Sequence, residues 1–194
     1  MIIREVDSYF RSILPIADLE KSDPSLNGLQ LGDREADISK VVFAVDACMQ
    51  TFEAAHALGG DCVFVHHGLF WGSPLAITDA HFRRVRYLIE RNMALYAVHL
   101  PLDMHPEFGN NAALARMLRL EDLTEFGTYR GTAIGWKGKL PAPMGLDGVI
   151  AAAGLVREDC LAVLPFGPDR IESVAILSGG ATREIEQAIQ AGAD

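Results

Sequence analysis

The chain predicts an α/β fold of two lobes, with mostly parallel strands in the first and a second lobe that reads as cut short. Three observations point there. Apolar strand segments and amphipathic helices alternate three times with short links, which implies parallel strands joined by crossovers. The strand segments are near-continuous apolar runs, as in strands covered on both faces. Past Thr124 the texture changes to a Gly- and Pro-rich stretch carrying Tyr, Thr, Ile and Trp, which favours antiparallel strands. The lobes are accordingly set at residues 1–124 and 125–194.

The elements follow in order. Ile2, Ile3, Val6, Tyr9, Phe10, Ile13 and Leu14 form a helical stripe ending near Pro15. The segment "SDPSLNGLQLGD" reads as a loop, "KVVFAVDA" as a strand buried on both faces, and "MQTFEAAHALGG" as a helix with a glycine stop. "DCVFVHH" is a second buried strand. "TDAHFRRVRYLIERN" opens with a Thr/Asp cap and continues as a helix. "MALYAVHL" is a third strand, with His99 at its end, and "GNNAALARMLRL" a third helix. In the second lobe, "LDGVIAAAG" reads as a helix, "CLAVLPFG" and "IESVAILS" as strands, and "GGATREIEQAIQAGAD" as a glycine turn and a helix.

Composition narrows the function. A formal charge of −9, with no Lys/Arg run longer than two, argues against a phosphate backbone or an anionic membrane as partner. A small phosphorylated ligand held by a metal is not excluded. Cys48, Cys62 and Cys160 are scattered without C-x-x-C spacing, which suggests reduced thiols and a cytoplasmic protein. Charges at Arg4, Glu5 and Asp7 interrupt any signal-peptide core, and no apolar run approaches the roughly 18 residues of a membrane span.

Chemistry concentrates at the strand ends, where α/β sheets place their sites. His66 and His67 close the second strand, His99 closes the third, and Asp103 follows Pro101 in the next loop. Parallel strands bring these groups to one edge, with His105 and Glu107 close behind. Imidazoles with a carboxylate suit a divalent Zn, Mn, Fe, Co or Ni ion. Adjacent strand residues point in different directions, so His66 and His67 more easily serve two ions than chelate one. A strand-end histidine is equally at home bonding a backbone carbonyl. His56 and His81 lie in helices among polar neighbours and carry no role. Phe70 and Trp71 read as core or interface aromatics, Gly68 as a turn or a close approach, and Asn110 and Asn111 as helix caps first and site residues second. "LSGGAT" lacks the lysine of a P-loop and reads first as a strand-to-helix turn.

With these residues assembled, "NGLQLG", "VHHGLFW", "HLPLDMHPEFGNNAALA" and "VAILSGGAT" resemble, in order and setting, the Nif-three-like family, also called GTP cyclohydrolase I type 2 homologs. The resemblance implies two related α/β lobes around a cleft holding two divalent metals, and a toroidal homohexamer. It puts His67 and Asp103 on one metal, His66 on the other, and His99 beside them as a proton-transfer residue. Family members also supply a C-terminal histidine and a bridging glutamate, which nothing in these 194 residues matches. The resulting expectation is a metal-dependent hydrolase acting on a nucleotide or heterocyclic small molecule. The competing expectation is a non-catalytic metal-handling scaffold that works through protein partners. A nucleotide-binding module without metal rests on "LSGGAT" alone.

Overall fold

Ile3, Val6 and Phe10 recur at helical spacing and are all buried, so the amphipathic segment folds as α1 (Ile3–Ile13) with that stripe inward. In the computed structural model, which describes residues 1–194, the chain divides into two compact units, Met1–Leu102 and Asp103–Asp194. No helix is long and apolar enough to cross a membrane.

The first unit is a four-stranded sheet of β1 (Gly28–Leu31), β2 (Val41–Asp46), β3 (Cys62–His67) and β4 (Ala94–Ala97) in the order β1-β4-β3-β2. β2, β3 and β4 run parallel, and β1 is antiparallel to β4. α1 covers one face, where Phe10, Phe64, Tyr96 and Val98 meet. α2 (Met49–Ala57) and α3 (Asp79–Glu90) cover the other, packing Phe52 and Leu88 on Val63, Val65 and Leu95. β3 and β4 are therefore central, and four of the six β3 residues are buried.

The structure corrects three local readings. β2 is not covered on both faces: it is the outer strand, and Phe43 and Val45 are 67% and 61% exposed. Its apolar run resembles that of β3 because composition records hydrophobicity, not position in the sheet. The loop "SDPSLNGLQLGD" contains β1, whose four residues are too few for a visible alternation. "CLAVLPFG" forms no strand, and Leu161, Leu164 and Phe166 stand exposed. Pro165 removes a ladder donor there, and β5, β6 and β7 of the second unit pair with one another instead.

The second unit is an antiparallel sheet in the order β5-β6-β7, formed by β5 (Glu121–Tyr129), β6 (Thr132–Met144) and β7 (Ile171–Ile176). Arg130 and Gly131, both at positive φ, make the two-residue hairpin turn between β5 and β6. A helical turn, α4 (Leu100–Asp103), carries the chain out of the first unit, and α5 (Asn110–Met117) follows. α5 packs Ala115, with Leu118 just beyond it, against Leu140, Ile171 and Ile176, so this helix belongs with the second sheet although the sequence texture changes only at Thr124. α6 (Leu146–Ala152) and α7 (Ile185–Gln190) complete the unit.

One ionic network ties the first unit together. The buried Asp7 carboxylate accepts from Tyr96 Oη at 2.8 Å, Arg11 Nε at 2.9 Å and Arg34 at 3.0 Å. Burial pushes this carboxyl up, but the Tyr96 hydroxyl and both guanidinium groups outweigh it and hold the group below its ordinary value of 3.8. A depressed carboxyl stabilises the fold above its unfolded value and loses that contribution as pH falls through the folded one. Asp7→Asn is therefore expected to lower stability against urea at pH 7 by about 2 kcal/mol. The difference from the parent should shrink below about pH 4, the unfolded carboxyl range. An unchanged difference between pH 7 and pH 3 would contradict it.

Candidate metal centre

β3 places the site because its first four residues are locked in the core and its last two emerge at the carboxyl edge. The rings of His66 and His67 stand 4.5 Å apart, and His99 approaches them at 5.0 and 5.8 Å between centroids. One ring nitrogen from each of the three lies within 4.8 Å of the others. Adjacent strand residues alternate in direction, but here the strand ends at His67 and both rings turn to the same space. His99 reaches it from just past β4, which stops at Ala97.

Each imidazole is aimed by an acceptor on Nδ1. His66 Nδ1 is 3.0 Å from the Val98 carbonyl, His67 Nδ1 is 2.7 Å from Asp46 Oδ1, and His99 Nδ1 is 2.9 Å from Asp23 Oδ1. A carbonyl and two carboxylates only accept, so each Nδ1 carries the proton and the lone pair sits on Nε2. This is the arrangement that orients histidine ligands in metal proteins, where a carboxylate or carbonyl holds the far ring nitrogen. Three imidazoles so held fit a divalent transition ion by donor type and by spacing.

Asp23 and Asp46 are the partners of the histidine cluster that the sequence reading missed. Asp23 is fully buried as a side chain, and besides His99 it accepts from the Ser25 and Leu100 backbone N–H groups at 2.9 Å and from Asn27 at 2.8 Å. Burial alone would raise its carboxyl; the hydrogen bonds from His99, Asn27 and Ser25 pull it below the ordinary value. Asn27 Oδ1 accepts the His99 backbone N–H at 2.7 Å, so the "LNGLQLG" segment braces the third histidine rather than only turning the chain. No motif marks Asp23, since it lies 76 residues from His99.

Trp71 walls one side. Its ring meets His99 edge-on at 4.8 Å, and its Nε1 donates to the Gly68 carbonyl at 2.9 Å. Gly68 is required for close approach: a Cβ there would stand 2.4 Å from Gln30 Nε2 and Oε1. Gln30 is pinned, its Oε1 accepting from Leu69 N–H at 2.7 Å and its Nε2 donating to Leu26 O at 2.7 Å. Gly68→Ala is expected to displace that amide and cost about 1–3 kcal/mol by leaving part-buried groups unpaired. Urea unfolding monitored by tryptophan emission measures it, and a midpoint equal to the parent would refute it.

Asp103 opens the second unit and is buried there. Its Oδ1 accepts from Asn110 Nδ2 at 2.8 Å and from Ser178 Oγ at 2.9 Å. Asn111, wholly buried, donates to the Asp103 and Ile134 carbonyls, and its Oδ1 accepts the Ser178 N–H at 2.6 Å. The two asparagines therefore fix the aspartate rather than cap α5, whose N-cap is Gly109. "LSGGAT" contributes Ser178 to this network. His105 Nδ1 accepts the Glu107 and Phe108 N–H groups, a turn-closing role, and Glu107 uses only its backbone in that turn. His56 and His81 pack on Tyr87 and Phe70.

The family described as Duf34/NIF3 (NGG1p interacting factor 3) matches residues 1–194. The chain belongs to this family. A Treponema pallidum relative named GTP cyclohydrolase 1 type 2 homolog is 40% identical over 97% of this chain and 78% of its own length. One of the same name from Deinococcus radiodurans is 46% identical over 89% of this chain, which spans 65% of that relative. Among solved structures, TTHA1606 from Thermus thermophilus superposes with a TM-score of 0.83 at 38% identity, covering 96% of this chain and 74% of that one. The membership expected from the quoted motifs and the mixed α/β fold both hold.

Proposed function

We propose that this NIF3-family chain binds divalent metal and acts as a metal-dependent hydrolase on a nucleotide or heterocyclic small molecule. The observation that carries this reading is the convergence of His66, His67 and His99, each with Nδ1 tied to an acceptor. The relatives' printed name supports a guanine-nucleotide-like heterocycle as the substrate class.

His66 and His67 are the proposed first-unit ligands, His66 toward one ion and His67 toward a second, and Asp103 is the proposed ligand of the second unit. Ions held there would draw the pKa of a coordinated water toward about 7 and polarise a substrate oxygen. His99 is the proposed proton carrier. Asp23 keeps its ring oriented through Nδ1, so Nε2 is presented to take up a proton from the attacking group and return it to the leaving group. The Trp71 ring packs against the His99 ring at 4.8 Å between centroids.

The experiment strips the protein with chelator and titrates Zn, Mn, Fe, Co or Ni back. Bound metal and turnover of GTP and related nucleotides are then followed. The expected result is metal-dependent turnover, with His99→Ala retaining metal while kcat falls about 10²-fold or more, the contribution of a positioned proton carrier. Loss of metal in His99→Ala would make that residue a ligand instead. A protein that retains no added metal, or one equally active in chelator, would overturn the reading. A metal-loaded protein without turnover, whose partner effects survive demetallation, would favour the scaffold.

A further inference from the structure

Trp71 is a large aromatic held at the histidine cluster without being buried by it. Residues 24–26 and 70–72 run antiparallel, with Ser25 facing Trp71 across an isolated bridge. On either side of that pair, Leu26 N–H donates to the Phe70 carbonyl and Gly72 N–H to the Pro24 carbonyl. A pair flanked by the bonds, rather than making them, brings its Cα atoms to about 4.5 Å and sets both side chains on one face. Neighbours along the chain take the opposite face. Phe70 is therefore turned onto the core cluster that includes Leu69 and Val85, while Trp71 is turned toward His67 and His99.

The indole is fixed from several sides. Those two backbone bonds clamp its root, and its Nε1 donates to the Gly68 carbonyl at 2.9 Å. Its ring stands at 73° to His99, 4.8 Å between centroids, and 6.2 Å from His67. A perpendicular contact sets an edge of one ring against a face of the other, so at least one face of the indole is left free of His99. Ser25, its small neighbour on that side of the ribbon, is only 6% exposed, yet 37% of Trp71 remains open to solvent.

What such a surface accepts is set by its shape. A single flat face gives full contact only to a flat partner, and an aromatic that is already ordered loses little conformational freedom on binding. Base-like heterocycles meet this demand whatever their ring substituents, because each has a π-face. The imidazoles alongside carry their lone pairs on Nε2, so a ring lying on the indole is placed next to the groups proposed to hold ions and protons.

We propose, on the reading of this site as one for a nucleotide or heterocycle, that Trp71 is its specificity-determining residue, the surface on which the substrate's flat ring stacks beside His67 and His99. Recognition and chemistry are then divided between neighbouring side chains, the indole taking the ring and the imidazoles the ions and the proton.

The test reads binding rather than turnover, on the full chain carrying Trp136→Phe, so that Trp71 is the sole tryptophan. Trp136 Nε1 makes no hydrogen bond in the fold, so this change strands no acceptor. Guanosine and GTP should quench Trp71 emission saturably in chelator-treated protein, whereas ribose 5-phosphate and inorganic triphosphate should not. In the chain with Trp136 restored, Trp71→Ala should raise the guanosine dissociation constant about 5–150-fold by equilibrium dialysis, the usual loss when a stacking aromatic is removed. Trp71→Phe keeps a stacking face but has no donor for the Gly68 carbonyl, and should recover most of that loss. Competition with a chromophoric chelator should give the same metal affinity for both variants as for the parent, which shows the histidine cluster intact. Quenching by neither guanosine nor GTP, equal quenching by triphosphate, or a Trp71→Phe chain as weak as Trp71→Ala would overturn the stacking role. A Trp71-dependent guanosine complex supports that role even in a chain that hydrolyses nothing. Metal-dependent turnover with an unchanged KM in Trp71→Ala overturns it while leaving the hydrolase reading in place.

Discussion

His67→Ala is expected to weaken divalent-ion binding at least about 100-fold, more than any change that leaves the three imidazoles in place. A lost nitrogen ligand cannot be replaced from β3, where Cys62–Val65 are buried in the core and His66 is already a proposed ligand. Asp46→Asn leaves the ring but exchanges a carboxylate for an amide at Nδ1, and should weaken binding by only about 10–100-fold, the usual cost of removing a ligand's orienting partner. Both side chains are well exposed, 45% for His67 and 66% for Asp46, so neither change should move the melting temperature appreciably without metal. Competition with a chromophoric chelator gives the affinities. Equal losses in the two variants, or none, would remove His67 from the ligand set.

Asp23→Ala should damage fold and site together. Its side chain is inaccessible and collects four donors: the Ser25 and Leu100 backbone N–H groups, Asn27 Nδ2 and His99 Nδ1. Alanine leaves these unpaired, and an unmade buried hydrogen bond costs about 1–3 kcal/mol, so the net loss should reach about 3 kcal/mol after partial rehydration. Asp23→Asn keeps the shape and one acceptor oxygen, and should lose about half as much stability. Its amide can present an NH2 to His99 Nδ1 where the carboxylate only accepts, so ring orientation and tautomer are no longer held and turnover should still collapse. Because the folded carboxyl is depressed, its stabilising contribution is present above the unfolded value near 3.8 and disappears as pH falls through the folded one. The stability gap between parent and Asp23→Ala, measured by urea at pH 7 and pH 3, should narrow accordingly. A variant as stable as the parent at pH 7 would refute this role.

The sequence disclosed the parallel strands of the first unit, because three apolar runs separated by amphipathic helices have few other solutions. It disclosed His66, His67 and His99 as neighbours for the same reason, since parallel strands end at one edge. It did not disclose the position of β2, because an edge strand with exposed Phe43 and Val45 has the same composition as a central one. Asp23 and Asp46 were invisible for a different reason. Each meets its histidine only through tertiary packing, across 76 and 21 residues, and no local spacing records such a partnership. Asn110 and Asn111 looked like caps because they open α5, but a capping residue must precede the first turn, and Gly109 already occupies that place. The stretch "CLAVLPFG" misled because strand composition without a partner strand does not make a strand.

The placement of the histidines at the end of β3 has a consequence for how the protein would exchange its ion. Cys62 through Val65 are 5% exposed or less, and Cys62 is desolvated enough for its thiol to be pushed up to about 12. Amide protons of this strand should be among the last to exchange with deuterium, with or without added metal. The rings are aimed by acceptors that the fold itself provides, so little ordering remains to be done when an ion arrives. Loading and release should then behave as equilibrium on a rigid platform, raising the melting temperature by mass action without being a condition for folding.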